Sequence, residues 1–205
     1  MQSGLADKLS TDCSIQIQET ALAGRKIFVY AGNMGVAQGM NTILEFVDAM
    51  QAQPEVGFVF VGRGSDSQRL RTETVRLSLQ NVLFYDEIDP DEIPGLYAQC
   101  HVAIVALDVR HKTHNIPGKF ISYMQAGLPV MAVINPGNDL EQMILSNRVG
   151  VVSTRTDIQE LMLKAAEILD ELESSGEIQN RCRELYLQLF SPEAAVSQIV
   201  KALQK

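Results

Sequence analysis

Six short apolar segments alternate with helical segments along the chain, and this alternation restricts the possible folds more than any other feature of the sequence. The segments include KIFVYA at residues 26–31, VGFVFV at 56–61 and VAIVAL at 102–107. Each is a continuous apolar run without polar alternation, which is typical of strands that are covered on both faces. The sequence therefore predicts an α/β fold: a Rossmann-like, doubly wound parallel sheet of about six strands, with helices on both faces and additional C-terminal helices.

The polar N-terminal stretch has a different pattern from the rest of the chain. Residues 1–24 show no sustained hydrophobic period, and we predict a flexible lead or linker there. Residues 25–205 contain every predicted strand and helix. Because about 180 residues is a common size for one domain, we expect them to form a single domain.

The charge balance of the chain excludes several classes of partner. There are 17 basic and 25 acidic residues, which gives a formal net charge of −8. A nucleic-acid-binding protein needs a broad basic face, and docking on anionic lipid by charge alone needs one too. The apolar runs are strand-sized, and the first residues lack the pattern of a signal peptide. We therefore expect a cytoplasmic protein with no nucleic-acid partner.

Cysteine and histidine spacings form no metal-binding motif. The cysteines Cys13, Cys100 and Cys182 are far apart and form no C-x-x-C pair, so reduced thiols are expected. His111 and His114 are three residues apart, but no third ligand lies near them in the sequence. We therefore predict neither a metal site nor a cofactor.

Loops at the carboxyl ends of the predicted strands are rich in glycine, small polar residues and basic residues. In a doubly wound sheet, ligands bind at this edge. The longest of these loops carries Arg110, His111, Lys112 and His114 in a chain that is acidic overall. A helix is predicted to begin at residues 116–119, where backbone N–H groups and the positive end of the helix dipole favour an anion. These features predict a site for a phosphorylated ligand.

Other nucleotide-binding motifs are incomplete in this sequence. No G-x-x-x-x-G-K-[ST] motif is present, which argues against hydrolysis of a nucleoside triphosphate. GNMG at 32–35 and GRG at 62–64 follow predicted strands, but neither completes G-x-G-x-x-G, and no acidic residue ends the second strand. An NAD-dependent domain and a nucleotide-sugar epimerase remain alternatives. A non-catalytic regulatory module of receiver type would need clustered acidic residues after the first strand, where Gly32 and Asn33 stand instead.

Three motifs occur together in an order that matches one protein family. They are YAGNMG at 30–35, VFVGRG at 59–64 and PGKFISYMQAGLPV at 117–130. With this order and spacing, residues 25–203 resemble the C-terminal, donor-binding half of retaining GT-B glycosyltransferases of group 1, the large family that builds bacterial surface polysaccharides. The longest motif is most similar to transferases of O-antigen or capsule assembly.

The resemblance implies where the donor diphosphate binds. The first glycine loop would lie under the diphosphate, and in this family a basic pair often flanks that loop. Asn33 and Gln38 occupy those two positions here, so the usual charge is missing. Arg63 or Lys119 is expected to supply it.

The resemblance also implies contacts to the rest of the donor. The loop after the third strand, near Glu87 and Ile88, would grip the base through its backbone. Two glutamates that commonly bind the donor sugar and the ribose are replaced by His114 and Ser122. The predicted donor-binding residues are Gly32, Asn33, Gly35, Arg63, Glu87, Ile88, His114, Ile116, Pro117, Gly118, Lys119 and Ser122.

The function implied by the resemblance is transfer of a sugar from a nucleotide-diphosphate sugar, with retention of configuration and without a metal. The acceptor would be a lipid-linked or polysaccharide molecule of the O-antigen, capsule or lipopolysaccharide type. It would be held by an N-terminal domain that is absent from this chain. We therefore expect this chain alone to bind the donor weakly and to transfer little or no sugar, and no catalytic residue is predicted. Contact with the inner face of the cytoplasmic membrane is expected only through the missing half.

Overall fold

A six-stranded sheet in which all neighbouring strands are parallel forms the centre of the protein. The computed structural model describes residues 12–108, 116–174 and 176–203. The strands are β1 (Lys26–Ala31), β2 (Val56–Val61), β3 (Val82–Tyr85), β4 (Val102–Ala106), β5 (Val130–Val133) and β6 (Gly150–Ser153). Their order is β3-β2-β1-β4-β5-β6, so the direction of winding reverses between β1 and β4. The predicted Rossmann-like fold class is confirmed.

The described residues form eight α-helices. These are α1 (Met40–Ala49), α2 (Ser67–Arg76), α3 (Ile93–Tyr97), α4 (Gly118–Ala126), α5 (Asp139–Asn147), α6 (Ile158–Ser174), α7 (Glu177–Leu189) and α8 (Pro192–Leu203). Short 3₁₀ segments at Val36–Gln38 and Pro90–Glu92 lead into α1 and α3. The last three helices follow the final strand, as predicted. Within the described ranges, none of the helices combines the length and the apolar character needed to cross a membrane.

Apolar side chains cover both faces of the sheet, because successive residues of a strand point to opposite faces. On one face, Val29 and Ala31 belong to a buried layer with side chains from α3, α4, α5 and α7. On the other face, Phe28, Tyr30 and Phe58 join a layer with side chains from α1, α2 and α6. The burial of both faces explains why the strand sequences are continuous apolar runs.

Two loops approach each other closely after β1 and β2, and this approach requires glycine. Gly32 and Gly62 have φ angles of 134° and 138°. A Cβ on Gly62 would lie 2.1 Å from the carbonyl oxygen of Gly32, and a Cβ on Gly64 would lie 2.4 Å from that of Met34. The N–H of Met34 also donates to the carbonyl of Arg63 at 2.7 Å. The glycines therefore hold the two loops side by side at the carboxyl edge.

A side chain from α4 joins β1 and β4 where the two strands separate. Their paired residues end at Val29 and Ala103. Beyond this point, the Tyr123 hydroxyl accepts a hydrogen bond from the N–H of Ala31 at 3.2 Å and donates to the carbonyl of Ile104 at 3.5 Å. The tyrosine ring is fully buried. Tyr123 therefore replaces the missing strand pairing and anchors α4 at the crevice of the sheet.

Part of the predicted flexible lead packs into the domain. Ile15, Ile17 and Leu22 are buried in the apolar layer that contains α3 and α4 side chains. Gln99 holds the segment: its Oε1 accepts from the N–H of Ile17 and its Nε2 donates to the carbonyl of Ile15, both at 2.8 Å. The prediction of a flexible lead is therefore wrong for residues 12–24. The buried Cys13, Ile15 and Ile17 alternate with exposed polar residues, but this short alternation ends at the 3₁₀ turn Ile17–Glu19 and forms no strand.

Candidate functional site

A cavity of about 540 Å³ opens at the carboxyl edge of the sheet. The loops after β1, β2 and β3 form part of its wall, and α3 and α4 supply the remainder. It is lined by Ala31, Gly32, Asn33, Val61, Gly62, Arg63, Glu87, Ile88, Pro90, Ile93, Tyr97, Lys119 and Ser122. Both its position and its volume are those of a typical ligand site in a doubly wound fold.

The structure brings most of the predicted donor-binding residues together in this cavity. Seven of the twelve line it: Gly32, Asn33, Arg63, Glu87, Ile88, Lys119 and Ser122. Pro117 and Gly118 form the start of α4, and Ile116 packs against the neighbouring core layer. Gly35 precedes the 3₁₀ segment after β1, and His114 lies outside the described residues. For all twelve residues, contact with a ligand stays a prediction.

Lys119 places a positive charge at the glycine-lined end of the cavity. Its Nζ lies 3.7 Å from the centre of the Tyr30 ring, and a Cβ built on Gly32 would be 3.3 Å from the same Nζ. The Tyr30 hydroxyl donates to the carbonyl of Asn33 at 2.6 Å, which holds the ring and the loop after β1 together. Burial lowers the pKa of Lys119 to about 8. The ammonium is therefore mainly protonated at neutral pH, and a bound anion would stabilise its charge.

Arg63 and Glu87 form an ion pair at the cavity. The Nε of Arg63 is 3.2 Å from Oε2 of Glu87, and the two side chains are 82% and 59% exposed. Ion pairs this exposed contribute little to stability, because water screens them and ordering the long side chains costs entropy. Both groups can therefore exchange this contact for contacts to a ligand.

Asn33 and Gln38, at the positions of the expected basic pair, contact each other. The Nδ2 of Asn33 donates to Oε1 of Gln38 at 3.3 Å, and the N–H of Gly35 donates to the same oxygen at 3.0 Å. These hydrogen bonds close the loop after β1 upon itself. The basic side chains that line the cavity are Arg63, from the loop after β2, and Lys119, from the first turn of α4.

The cavity has an apolar end, of which the sequence predicted only Ile88. Ile88, Pro90, Ile93 and Tyr97 line this end, and a smaller cavity of about 140 Å³ adjoins it between α3 and α4. The smaller cavity shares Pro90, Ile93, Tyr97 and Ser122 with the larger one but none of its charged residues. In the sequence, Pro90, Ile93 and Tyr97 have only the features of an ordinary core-facing helix and its start. Their place in the site depends on the packing of α3 beside α4, for which there is no local signal.

A second cavity, of about 340 Å³, lies at the same edge beside α1. Its lining includes Asp66, Asp108, Asn41 and Thr42, and no basic side chain among the described residues. A phosphorylated ligand is therefore better accommodated in the larger cavity, which holds both cations. Across the described part of the chain, no cluster of three histidine, cysteine or carboxylate side chains could hold a metal ion.

A Rossmann-like sheet with a cationic and partly apolar cavity at its carboxyl edge is the architecture of many domains that bind nucleotides. Within that class, residues 25–171 match the family model described as glycosyl transferases group 1. The match covers more than half of the chain and includes every strand and every residue that lines the larger cavity. The chain therefore belongs to the glycosyl transferase group 1 family.

Two curated relatives are similar over part of the chain. The protein named "Probable glycosyltransferase WbjE", from Pseudomonas aeruginosa, is 24% identical over 127 residues, which are 62% of this chain and 32% of that protein. The glycosyl transferase WcaI of Escherichia coli (strain K12), whose name refers to colanic acid biosynthesis, is 30% identical over 82 residues, which are 39% of this chain and 20% of that protein. The matched region thus spans about a third or less of either relative.

Among solved structures, a similar fold occurs in HepE of Anabaena, determined in complex with UDP-glucose. The two structures superpose with a TM-score of 0.74 at 18% sequence identity. The superposition covers 92% of this chain and 51% of HepE. At this identity the similarity concerns the fold alone.

Proposed function

We propose that this chain is the donor-binding part of a retaining glycosyltransferase that moves a sugar from a nucleoside-diphosphate sugar to a lipid-linked or polysaccharide acceptor. Membership of the family supports sugar transfer. The name of WcaI, which refers to colanic acid, supports a polysaccharide product. The observation that carries the proposal is the larger cavity, which combines Lys119 at the start of α4 and Arg63 from the loop after β2 with an apolar end.

The order of chemical groups in the cavity matches that of a nucleoside diphosphate. Gly32, Lys119 and Arg63 provide a backbone turn and two positive charges for the diphosphate. Ile93 and Tyr97 provide an apolar surface for the flat base. A ligand lying in this direction would leave its sugar at the cationic end, beside the start of α4.

The catalytic contribution of this domain is electrostatic. Negative charge builds on the diphosphate as its bond to the sugar breaks, and preorganised cations stabilise that charge. Lys119 suits this task because the Tyr30 ring and the Gly32 loop already hold its ammonium in place. In this proposal the Lys119 and Arg63 side chains neutralise the leaving diphosphate without a metal ion.

The acceptor would be held by a second domain. This chain corresponds to about half of HepE, which supports a division of the enzyme into a donor domain and an acceptor domain. We propose that the acceptor domain is N-terminal and makes any contact with the cytoplasmic face of the membrane. The chain alone is then expected to bind donor and to transfer little or no sugar.

The test is calorimetric titration of the chain with UDP, GDP, ADP, CDP and NAD at modest salt. We expect saturable binding of one nucleoside diphosphate, weakened about tenfold or more by Lys119→Met because a charge-assisted contact is lost. Lys164→Met is the matched control: Lys164 lies on α6 in an ion pair with Glu167, and it does not line the cavity.

Each other outcome would contradict a defined part of the proposal. Binding of NAD alone would replace it with the epimerase or NAD-dependent alternative. Binding of none of the five compounds would contradict a donor site in this chain. Rapid transfer by the chain alone, measured as release of nucleoside diphosphate in the presence of a lipid-linked acceptor, would contradict the need for a second domain.

A further inference from the structure

Glu87 is a carboxylate inside a cavity that is otherwise suited to an anion. The cavity lining contains Arg63 and Lys119 but no second acidic side chain among the described residues. A carboxylate repels a diphosphate, so its presence there is unfavourable unless it meets hydrogen-bond donors of the ligand. In a nucleoside diphosphate, those donors are the hydroxyl groups of the ribose and the N–H groups of the base.

The position of Glu87 distinguishes between these two kinds of donor. On one side, its carboxylate lies 3.2 Å from Arg63, whose loop packs against the loop of Gly32 at the cationic end. On the other side, the chain continues directly into Ile88 and the 3₁₀ segment that begins at Pro90, which line the apolar end. Glu87 therefore lies between the cationic end and the apolar end, where a nucleoside diphosphate has its ribose.

We propose that the Glu87 carboxylate accepts hydrogen bonds from the ribose hydroxyls of the bound nucleotide and so selects ribonucleotides over deoxyribonucleotides. This inference rests on the proposed donor site and adds a specificity-determining residue to it. Ser122, which lines both adjoining cavities from α4, is short and neutral and makes weaker hydrogen bonds than a carboxylate. When Glu87 turns to the ribose, Arg63 is released to the diphosphate.

The experiment compares the ribose forms of UDP, GDP, ADP and CDP with their 2′-deoxy and 3′-deoxy forms. Dissociation constants are measured by calorimetry for the unaltered chain, Glu87→Ala and Asp86→Ala. The unaltered chain is expected to bind its preferred ribonucleotide about tenfold more tightly than the deoxy forms, because a charge-assisted hydrogen bond is lost with each hydroxyl. Glu87→Ala is expected to reduce that ratio to about one by weakening only the ribose form.

Asp86→Ala is the matched control for a neighbouring carboxylate. Asp86 is on the same loop, but its side chain pairs with Arg71 at 2.8 Å, is 95% exposed and does not line the cavity. This variant is expected to keep the preference for ribose. Because Glu87 is also an exposed side chain, Glu87→Ala is expected to keep the melting temperature, which is measured in parallel.

The outcomes separate this inference from the proposed function. Equal affinity of the unaltered chain for ribose and deoxy forms would overturn the ribose contact while leaving a nucleotide site. An equal loss of both forms in Glu87→Ala would also overturn it, since that result would mean that Glu87 only positions Arg63. If no nucleoside diphosphate bound to the unaltered chain, the proposed function and the ribose contact would both fail.

Discussion

Lys119 is a cation in surroundings that disfavour its charge. The side chain is partly buried, its ammonium lies over the Tyr30 ring, and burial lowers its pKa to about 8. An unfolded chain would keep the ordinary pKa of about 10.5. Between these two values the unfolded state binds more protons than the folded state, so the contribution of Lys119 to stability rises as the pH rises through this window. The charge is retained at a cost to stability, as is common for residues that act on a ligand.

We expect Lys119→Met to have opposite effects on binding and on stability. At pH 7 the variant should melt at an equal or higher temperature than the unaltered chain, while its affinity for the nucleoside diphosphate is lower. As the pH rises from 7 to 9, the unaltered chain loses the charge and its affinity should fall toward that of the variant. Calorimetry and thermal melts at several pH values measure both trends. Lys119→Arg serves as the control, because its guanidinium stays charged, and a pH-dependent loss of affinity in that variant would contradict the assignment to Lys119.

At the scale of secondary-structure elements, Tyr123 connects α4 to the two strands that separate at the crevice. Tyr123→Phe keeps the ring contact with Tyr97 but leaves the N–H of Ala31 and the carbonyl of Ile104 without this partner. The expected loss of unfolding free energy is about 2 kcal/mol, the cost of unsatisfied buried polar groups. Urea denaturation measures it, and faster amide exchange at Ala31 would locate the effect. Tyr186→Phe, on α7, is the control, and an equal loss in both variants would contradict a specific bridge.

The strands and the site differ in how much of them the sequence predicts. β1 and β2 begin and end at the predicted residues, because a strand buried on both faces has an uninterrupted apolar sequence. The glycine loops and the start of α4 are also local signals, and they supply Gly32 and Lys119 to the cavity. By contrast, the approach of α3 to α4 is a tertiary contact. Ile93 and Tyr97 therefore could not be predicted to line the site.

For the whole molecule, the sequence pattern was misleading in the segment before β1. Hydrophobic periodicity identifies helices and strands, but residues 12–24 contain only a short 3₁₀ turn at Ile17–Glu19. The segment is held by isolated apolar side chains and by backbone hydrogen bonds to the side chain of Gln99. The short alternation of Cys13, Ile15 and Ile17 with polar residues does not by itself indicate this attachment, which depends on a residue more than 80 positions away in the sequence.

Gln99 is therefore expected to determine whether this segment stays attached to the domain. Gln99→Ala removes both hydrogen bonds to the segment and should lower the free energy of unfolding by about 2 kcal/mol, as buried backbone groups lose their partner. Urea denaturation measures the loss, and limited proteolysis should then cut within residues 12–24 before the rest of the domain. Gln142→Ala, exposed on α5, should change stability by less than about 0.5 kcal/mol.

Because the segment packs on α3, whose residues Ile93 and Tyr97 line the cavity, its release should also weaken nucleotide binding. Unchanged stability and affinity in Gln99→Ala would mean that the apolar contacts alone hold the segment in place.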